Sequence, residues 1–191
     1  MRTVLSDKLA LAALIFIVLV IAGAAGAAWI APYPPEETFF DGLTLEGAPL
    51  PPNEKYWLGT DLLGRDLLSR LLFGAQTSLV IGLVANGVSL LIGTLVGILA
   101  GYLRGWTGTI LMRFTDLMMA FPALLLAIAL AALFTPSLWI VAMVIAMVNW
   151  VQVARVVYSM TVALSEREFV EGVRSLGATR SRILFRHILP H

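Results

Sequence analysis

Few residues in this chain are of kinds that do chemistry, and their spacing narrows the field. Gly59 and Gly64, in GTDLLGRD, stand at the G-x-x-x-x-G spacing of a phosphate-binding loop. Such a loop continues with Lys, which reaches the terminal phosphates, and with Ser or Thr, which holds magnesium. Arg65 and Asp66 follow here instead, and the Asp66 carboxylate would repel phosphate, so nucleotide binding is not expected. No G-x-x-x-x-G-K-[ST] occurs elsewhere, so any ATP would be used by another chain. His187 and His191 have the i, i+4 spacing that can clamp a metal on a helix. Pro190 lies between them and no acid or cysteine is near to complete a shell, which favours interfacial or coupling histidines over a metal site. The chain has no cysteine, which removes disulfides, thiol catalysis and Cys-ligated metals. No catalytic residue, metal or cofactor is expected.

The elements that would position such residues are mostly apolar. Hydrophobic residues make up 59% of the 191 and charged residues 13%, against about a quarter charged in soluble domains. The chain reads as an integral membrane protein. A net charge of +1 gives no general affinity for polyanions, so no nucleic-acid partner is expected. A spanning helix needs about 20 largely apolar residues, and four stretches qualify: 9–30, about 77–101, about 114–134 and about 138–160. The first has a rival reading. Arg2 and Lys8 ahead of an apolar run ending in AGAAGAA also fit a cleaved signal peptide. The run is 22 residues, longer than the usual signal core, and Asp7 interrupts the basic start, which favours a retained span.

Lys and Arg mark cytoplasmic flanks. With the N-terminus inside, Arg2, Lys8, Arg104, Arg113, Arg155, Arg167, Arg174, Arg180, Arg182 and Arg186 fall in the cytoplasm, and only Lys55, Arg65 and Arg70 fall outside. That orientation places the closing residues 165–191 inside. The outer stretch 31–70 carries Glu36, Glu37, Asp41, Glu46, Glu54, Asp61 and Asp66 among Pro and Gly. A charge near the bilayer centre costs about 3 kcal/mol, so this stretch is aqueous. Its first half reads as irregular loop. From Thr60 onward, Leu62, Leu63, Leu67, Leu68, Leu71 and Leu72 recur as in an amphipathic helix capped by Thr60 or Asp61.

Inside the spans, ionisable groups are almost absent: Asp116 at the cytoplasmic start of the third and Arg155 near the cytoplasmic end of the fourth. Ion-coupled carriers keep acids or histidines at mid-membrane depth, and an intramembrane hydrolase needs a nucleophile beside its base. Neither pattern is present. Asn149 and Gln152 are the polar exceptions in the fourth span; hydrogen bonding between helices is the first reading and lining a pathway the second. Ser89, Gly93, Gly97 and Gly101 form a small-residue stripe for close helix packing, within or between subunits, and Pro122 predicts a kink in the third span. The spans read as a passive conduit with an outside energy source.

The tail, SEREFVEGVRSLGATRSRILFRHILPH, reads as helix-turn-helix. Residues 166–176 put Phe169, Val170, Val173 and Leu176 on one helical face and Arg167, Glu171 and Arg174 on the other. Gly177 falls where a helix stops or turns. A second helical pattern follows, with Ile183, Leu184, His187 and Ile188 apolar, and Pro190 ends it. Composition alone leaves docking onto anionic lipid and docking onto a protein equally open.

Spacing separates the two. Glu171-Gly172-Val173, three residues, Gly177, nine residues and His187-Ile188-Leu189-Pro190 resemble the cytoplasmic-loop motif of ABC importer permeases: E-A-A, three residues, G, nine residues, I-x-L-P. Gly172, Val173 and His187 depart from it. Across about residues 57–191, WLGTDLLGRDLLSRLLFGAQTSL, GILAGYLRGW and MRFTDLMMAFPALLLAIAL look like the dipeptide/oligopeptide/nickel permeases, in detail their C-type subunit. The resemblance implies an all-α type I importer fold with six spans, of which four are present. It also implies a coupling helix around Glu171–Gly177 that docks into an ATPase subunit. Two further spans would follow Leu189-Pro190, so the chain is expected to be a fragment or truncated product that does not transport by itself.

The expected organisation is 1–30 as cytoplasmic end and first span, 31–74 as outer loop with its amphipathic helix, and 75–191 as permease domain with coupling loop 161–191. The expected function is a permease subunit of an importer for di- or oligopeptides, or related ligands such as nickel, in a bacterial or archaeal plasma membrane. Its partners would be a second permease, two ATPase subunits, an extracytoplasmic solute-binding protein and membrane lipid. The rival readings are a membrane anchor or assembly protein with a lipid-binding tail and, behind it, an ion-coupled carrier.

Overall fold

The computed structural model describes residues 7–190; Arg2 and His191 lie outside the described residues, and with His191 the histidine pair. The chain is an all-α membrane protein. Among the described residues, β-structure is limited to isolated bridges of Leu43 with Pro49 and of Thr60 with Asp66. The chain divides into two compact units, one up to Val80 and one from Ile81.

The first unit opens with α1 (Lys8–Ala25), whose N-cap Asp7 accepts the Leu9 N–H at 2.9 Å. Gly26 interrupts the apolar run before the short α2 (Ala27–Ile30). Leu14 to Leu19 are six consecutive exposed apolar residues, so α1 presents apolar surface in every direction, as a lipid-facing helix does.

The stretch 31–66 is ordered by tertiary contacts that its Pro- and Gly-rich sequence does not announce. Tyr56 is buried against the rings of Tyr33 and Phe39, each with its centroid 5.8 Å away. Asp41 accepts hydrogen bonds from the Lys55 ammonium at 2.5 Å and the Tyr56 hydroxyl at 3.2 Å. The Lys55 contact holds the Asp41 pKa below its ordinary value, and the same contact raises that of Lys55. GTDLLGRD forms a closed turn, with Gly64 at φ +72°. Asp61 accepts the N–H groups of Leu63 (2.8 Å) and Arg65 (3.0 Å), so the donors that a phosphate loop offers its ligand are already occupied. Burial alone would raise the Asp61 pKa; those N–H groups and the Arg65 guanidinium outweigh it and hold it below the usual range.

The helix expected from Thr60 begins at Leu67 instead. Asp66, not Thr60 or Asp61, caps it by accepting the Ser69 N–H at 2.8 Å and the Ser69 hydroxyl at 2.7 Å. The Thr60 hydroxyl is engaged elsewhere, donating to the Gly42 carbonyl at 2.5 Å. The leucine periodicity misled because Leu62 and Leu63 lie in the turn that precedes the helix. From Leu67, α3 (Leu67–Leu103) runs unbroken for 37 residues. At 1.5 Å per residue it is about 55 Å long, against about 30 Å of hydrocarbon, so the later part of the amphipathic stretch and the second span are one helix.

In the second unit α3 packs on α6 (Leu138–Ser165) through the small-residue stripe. The Ser89 hydroxyl donates to the Ala146 carbonyl at 3.2 Å. Gly93 abuts Trp150 and Val153, Gly97 abuts Ala154 and Val157, and Gly101 abuts Tyr158 and Thr161. A Cβ at Gly97 would come within 2.5 Å of the Ala154 carbonyl oxygen. The stripe therefore serves packing inside the chain. Partners advance together along both helices, so α3 and α6 are parallel, and the segment between them must return across the bundle once.

That return is α4 (Gly105–Ala120) and α5 (Ala123–Ala132), bent by 84°. The predicted kink is thus a full break. Pro122 lacks an N–H and pushes Phe121 into extended backbone, φ −81° and ψ 131°. Among the described residues, three helices are long and apolar enough to cross a membrane, or four crossings if the bent pair counts as one.

Candidate functional site

The conspicuous site is the helix-turn-helix beyond α6. The long helix extends to Ser165, bends at Glu166 and Arg167, and hands over to α7 (Glu168–Ser175). Gly177, at φ +78°, closes α7 by a Schellman turn: its N–H meets the Arg174 carbonyl at 3.0 Å and the Ala178 N–H meets the Val173 carbonyl at 3.3 Å. Thr179 caps α8 (Arg180–Ile183), and a π-helical turn, Leu184–Ile188, leads to Leu189 and Pro190. His187 lies half-buried on that turn.

The apolar face read from sequence splits in two. Val170, Ile183 and Ile188 are buried together, with Tyr102, Leu164, Val173 and Ala178 packed around them. Leu176 points outward, 88% exposed. The inward half fixes α7 and α8 to the ends of α3 and α6. The Arg104 guanidinium bonds Glu166 at 2.9 Å, and Arg104 is the one described non-glycine residue at positive φ, +48°, which costs on the order of 1–3 kcal/mol. A cavity of about 630 Å³, lined by Tyr102, Arg104, Glu166, Glu171, Arg174 and Arg180, lies between these helix ends and the α7–α8 element. Gly172 is exposed, and a Cβ there would meet nothing within 4 Å. Its smallness does no work inside this chain.

A second locus lies midway along α6. Asn149 and Gln152 are exposed and line a cavity of about 120 Å³ with Met118, Met119, Ala123 and Leu126 from both sides of the α4–α5 break. Neither amide has a hydrogen-bond partner among the described residues, so the interhelical bond preferred from sequence is not formed there. One turn further along α6, Arg155 donates to Asp116 of α4. Sequence reasoning noted both ions but did not join them, and it set them near span ends. With α4 starting at Gly105 and α6 ending at Ser165, each sits about three turns inside its helix. The signal available was charge complementarity between two lone ions of adjacent spans. Among the described residues no group of three or more His, Asp or Glu converges.

A bundle of apolar helices that carries a helix-turn-helix at one end and a broken helix within is an all-α membrane protein, and the comparisons with known proteins give its class. Residues 93–191, just over half of the chain, match the family described as binding-protein-dependent transport system inner membrane component. Residues 1–52 match the N-terminal TM domain of oligopeptide transport permease C. The chain belongs to this family of ABC importer permeases and is a multi-pass inner-membrane protein. It is similar to the glutathione transport system permease protein GsiD of Escherichia coli O6:K15:H31 (strain 536 / UPEC), of Shigella boydii serotype 4 (strain Sb227) and of Shigella sonnei (strain Ss046). Each is 42% identical over 184 residues, which is 96% of this chain and 59% of the relative.

Proposed function

We infer that the chain works as the C-type permease subunit of an ATP-driven importer of small peptides, with α7 and α8 as its coupling element. The supporting observation is the division of labour on α7: Val170 and Val173 anchor it inward, while Gly172 and Leu176 are left outward and unengaged. An apolar side chain beside a gap, on a short helix held rigidly at the bundle end, suits insertion into a groove of a partner. That partner would be an ATPase subunit, because the motif Glu171, Gly172, Val173, Gly177, His187, Leu189 and Pro190 lies on and around this element. ATP-driven closure of two such subunits would push the element, and through the α3–α6 seam would tilt the bundle between inward- and outward-open states. A second permease and an extracytoplasmic solute-binding protein complete the assembly, the N-terminus lies inside, and no bond is made or broken in this chain.

Ligands the size of di- to tetrapeptides fit this reading best. The relatives' printed name, glutathione transport, is one instance of that class. The test introduces Ser175→Cys, at an exposed position in the otherwise cysteine-free chain, and co-expresses the variant with the partner ATPase and permease subunits. A short thiol crosslinker should give a nucleotide-dependent adduct with an ATPase subunit. If the thiol of S175C instead reacts only with a lipid-borne reagent, the coupling assignment fails and α7–α8 is a lipid-surface element.

A further inference from the structure

Asn149 and Gln152 pose a problem that packing within the chain does not solve. Both are exposed on the middle of α6, in the membrane, without a hydrogen-bond partner among the described residues. Beside them α4 stops at Ala120 and α5 starts at Ala123. The break leaves carbonyls of the last turn of α4 and N–H groups of the first turn of α5 without partners from their own helices. Each such group facing hydrocarbon costs several kcal/mol, so a helix is broken at membrane depth only where protein or water covers the break. The two amide side chains, the bared backbone and the 120 Å³ cavity coincide. This face does not look onto lipid.

We propose that the Asn149–Gln152 face of α6, together with the α4–α5 break, is one wall of the ligand passage and that it hydrogen-bonds the backbone amides of a peptide in transit. The proposal rests on the importer reading above. An amide side chain offers one acceptor and two donors, and the break adds carbonyls and N–H groups, so the wall matches the alternating donors and acceptors of a peptide whatever its side chains. No side chain lining the cavity is ionisable: besides the amides they are methionine, alanine, leucine and valine. That lining selects neither charge. Its methionine thioethers are soft ligands that suit Cu(I), and it offers none of the imidazole or carboxylate groups that suit a divalent nickel ion, so the lining fits peptide rather than nickel. The cavity admits a single peptide group, as one wall of a larger passage would. Arg155, paired to Asp116, continues the polar stripe one turn toward the α7–α8 end.

The absence of cysteine makes the test direct. Single variants Asn149→Cys, Gln152→Cys and Leu91→Cys, the last at an exposed apolar position on α3, are each assembled with the ATPases, second permease and binding protein in membranes. Modification by a charged, hydrophilic thiol reagent is timed. Since only a hydrated thiolate reacts, N149C and Q152C should be modified about tenfold faster than L91C. A mixture of di-, tri- and tetraalanine supplied with ATP should slow both, and nickel chloride should not. Equal, slow rates at all three positions overturn the proposal, because the face is then covered by lipid or by a neighbouring helix. Fast rates that the alanine peptides leave unchanged, while those peptides still stimulate ATP hydrolysis, overturn the peptide contact but leave the importer reading standing. If the peptides fail to stimulate ATP hydrolysis by the wild-type complex, the importer reading itself falls and the proposal falls with it.

Discussion

Arg155 of α6 donates a hydrogen bond to Asp116 of α4, and no other described ion pair joins two of the spanning helices in mid-length. It sits one turn from the 84° break between α4 and α5, so it holds the broken helix against the bundle close to the place where its own backbone stops doing so. Both side chains are partly exposed, 53% and 42%, which sets the scale of what the pair contributes.

A double-mutant cycle on this pair should give a coupling of about 1 kcal/mol, the upper range for part-exposed ion pairs. Asp116→Asn and Arg155→Gln should each lower thermal stability in detergent micelles, and the second change should cost almost nothing once the first is made. Additive losses would show that the two residues act independently.

The α3–α6 seam predicts a contrast between two glycines of one helix. Gly97→Val should destabilise by about 1–3 kcal/mol, as overpacking does, because its Cβ would meet the Ala154 carbonyl oxygen at 2.5 Å and Val157 at 2.8 Å. Gly87→Ala, with nothing within 4 Å, should be neutral or stabilising by up to about 1 kcal/mol through helix propensity. Melting temperatures of the two variants, measured side by side, decide it.

Gly172 and Val170 should separate docking from folding. Gly172→Phe adds bulk into open space and should leave stability within about 0.5 kcal/mol, as exposed substitutions do, while abolishing co-purification with the ATPase subunits. Val170→Ala removes a fully buried side chain and should lower stability by about 1–3 kcal/mol. If Gly172→Phe assembles normally, the gap on α7 is not a docking feature.

Acid should loosen the stretch 31–66 before the helices. Asp61 and Asp41 both have depressed pKa values, so the stability they contribute is present above the ordinary carboxylate pKa of about 3.9 and is lost as pH falls through their lower folded values. Hydrogen exchange at residues 36–70 should therefore quicken below about pH 4, and Asp61→Asn should show faster exchange there already at neutral pH. Unchanged exchange in that variant would mean that the turn is held by its aromatic neighbours alone.

The legible parts of this chain were those where a residue type has one physical outcome. A long uncharged run has to leave water, so the apolar stretches marked the helices; Pro122 cannot continue a hydrogen-bond ladder, so the third span had to bend; Gly177 suits positive φ, and α7 stops there. The spacing Glu171, Gly177, Leu189-Pro190 was enough to point to a permease. What misled was periodicity without a partner. Leu62 and Leu63 kept a helical rhythm through a turn, and Phe169, Val170, Val173 and Leu176 shared one helical face although the fold uses its two sides differently.

Sequence by itself thus determined that the chain is an apolar, all-α permease without a nucleotide loop of its own, because solubility, backbone geometry and motif spacing are properties of residues taken in order. Tertiary structure alone decided that the glycine stripe seals α3 to α6 inside the chain, that Asp61 fills its own anion seat, that Asp116 meets Arg155, and that Asn149 and Gln152 are left without a partner among the described residues, beside a broken helix. Each of those depends on which residues distant in sequence arrive next to each other, and neither composition nor periodicity carries that distance.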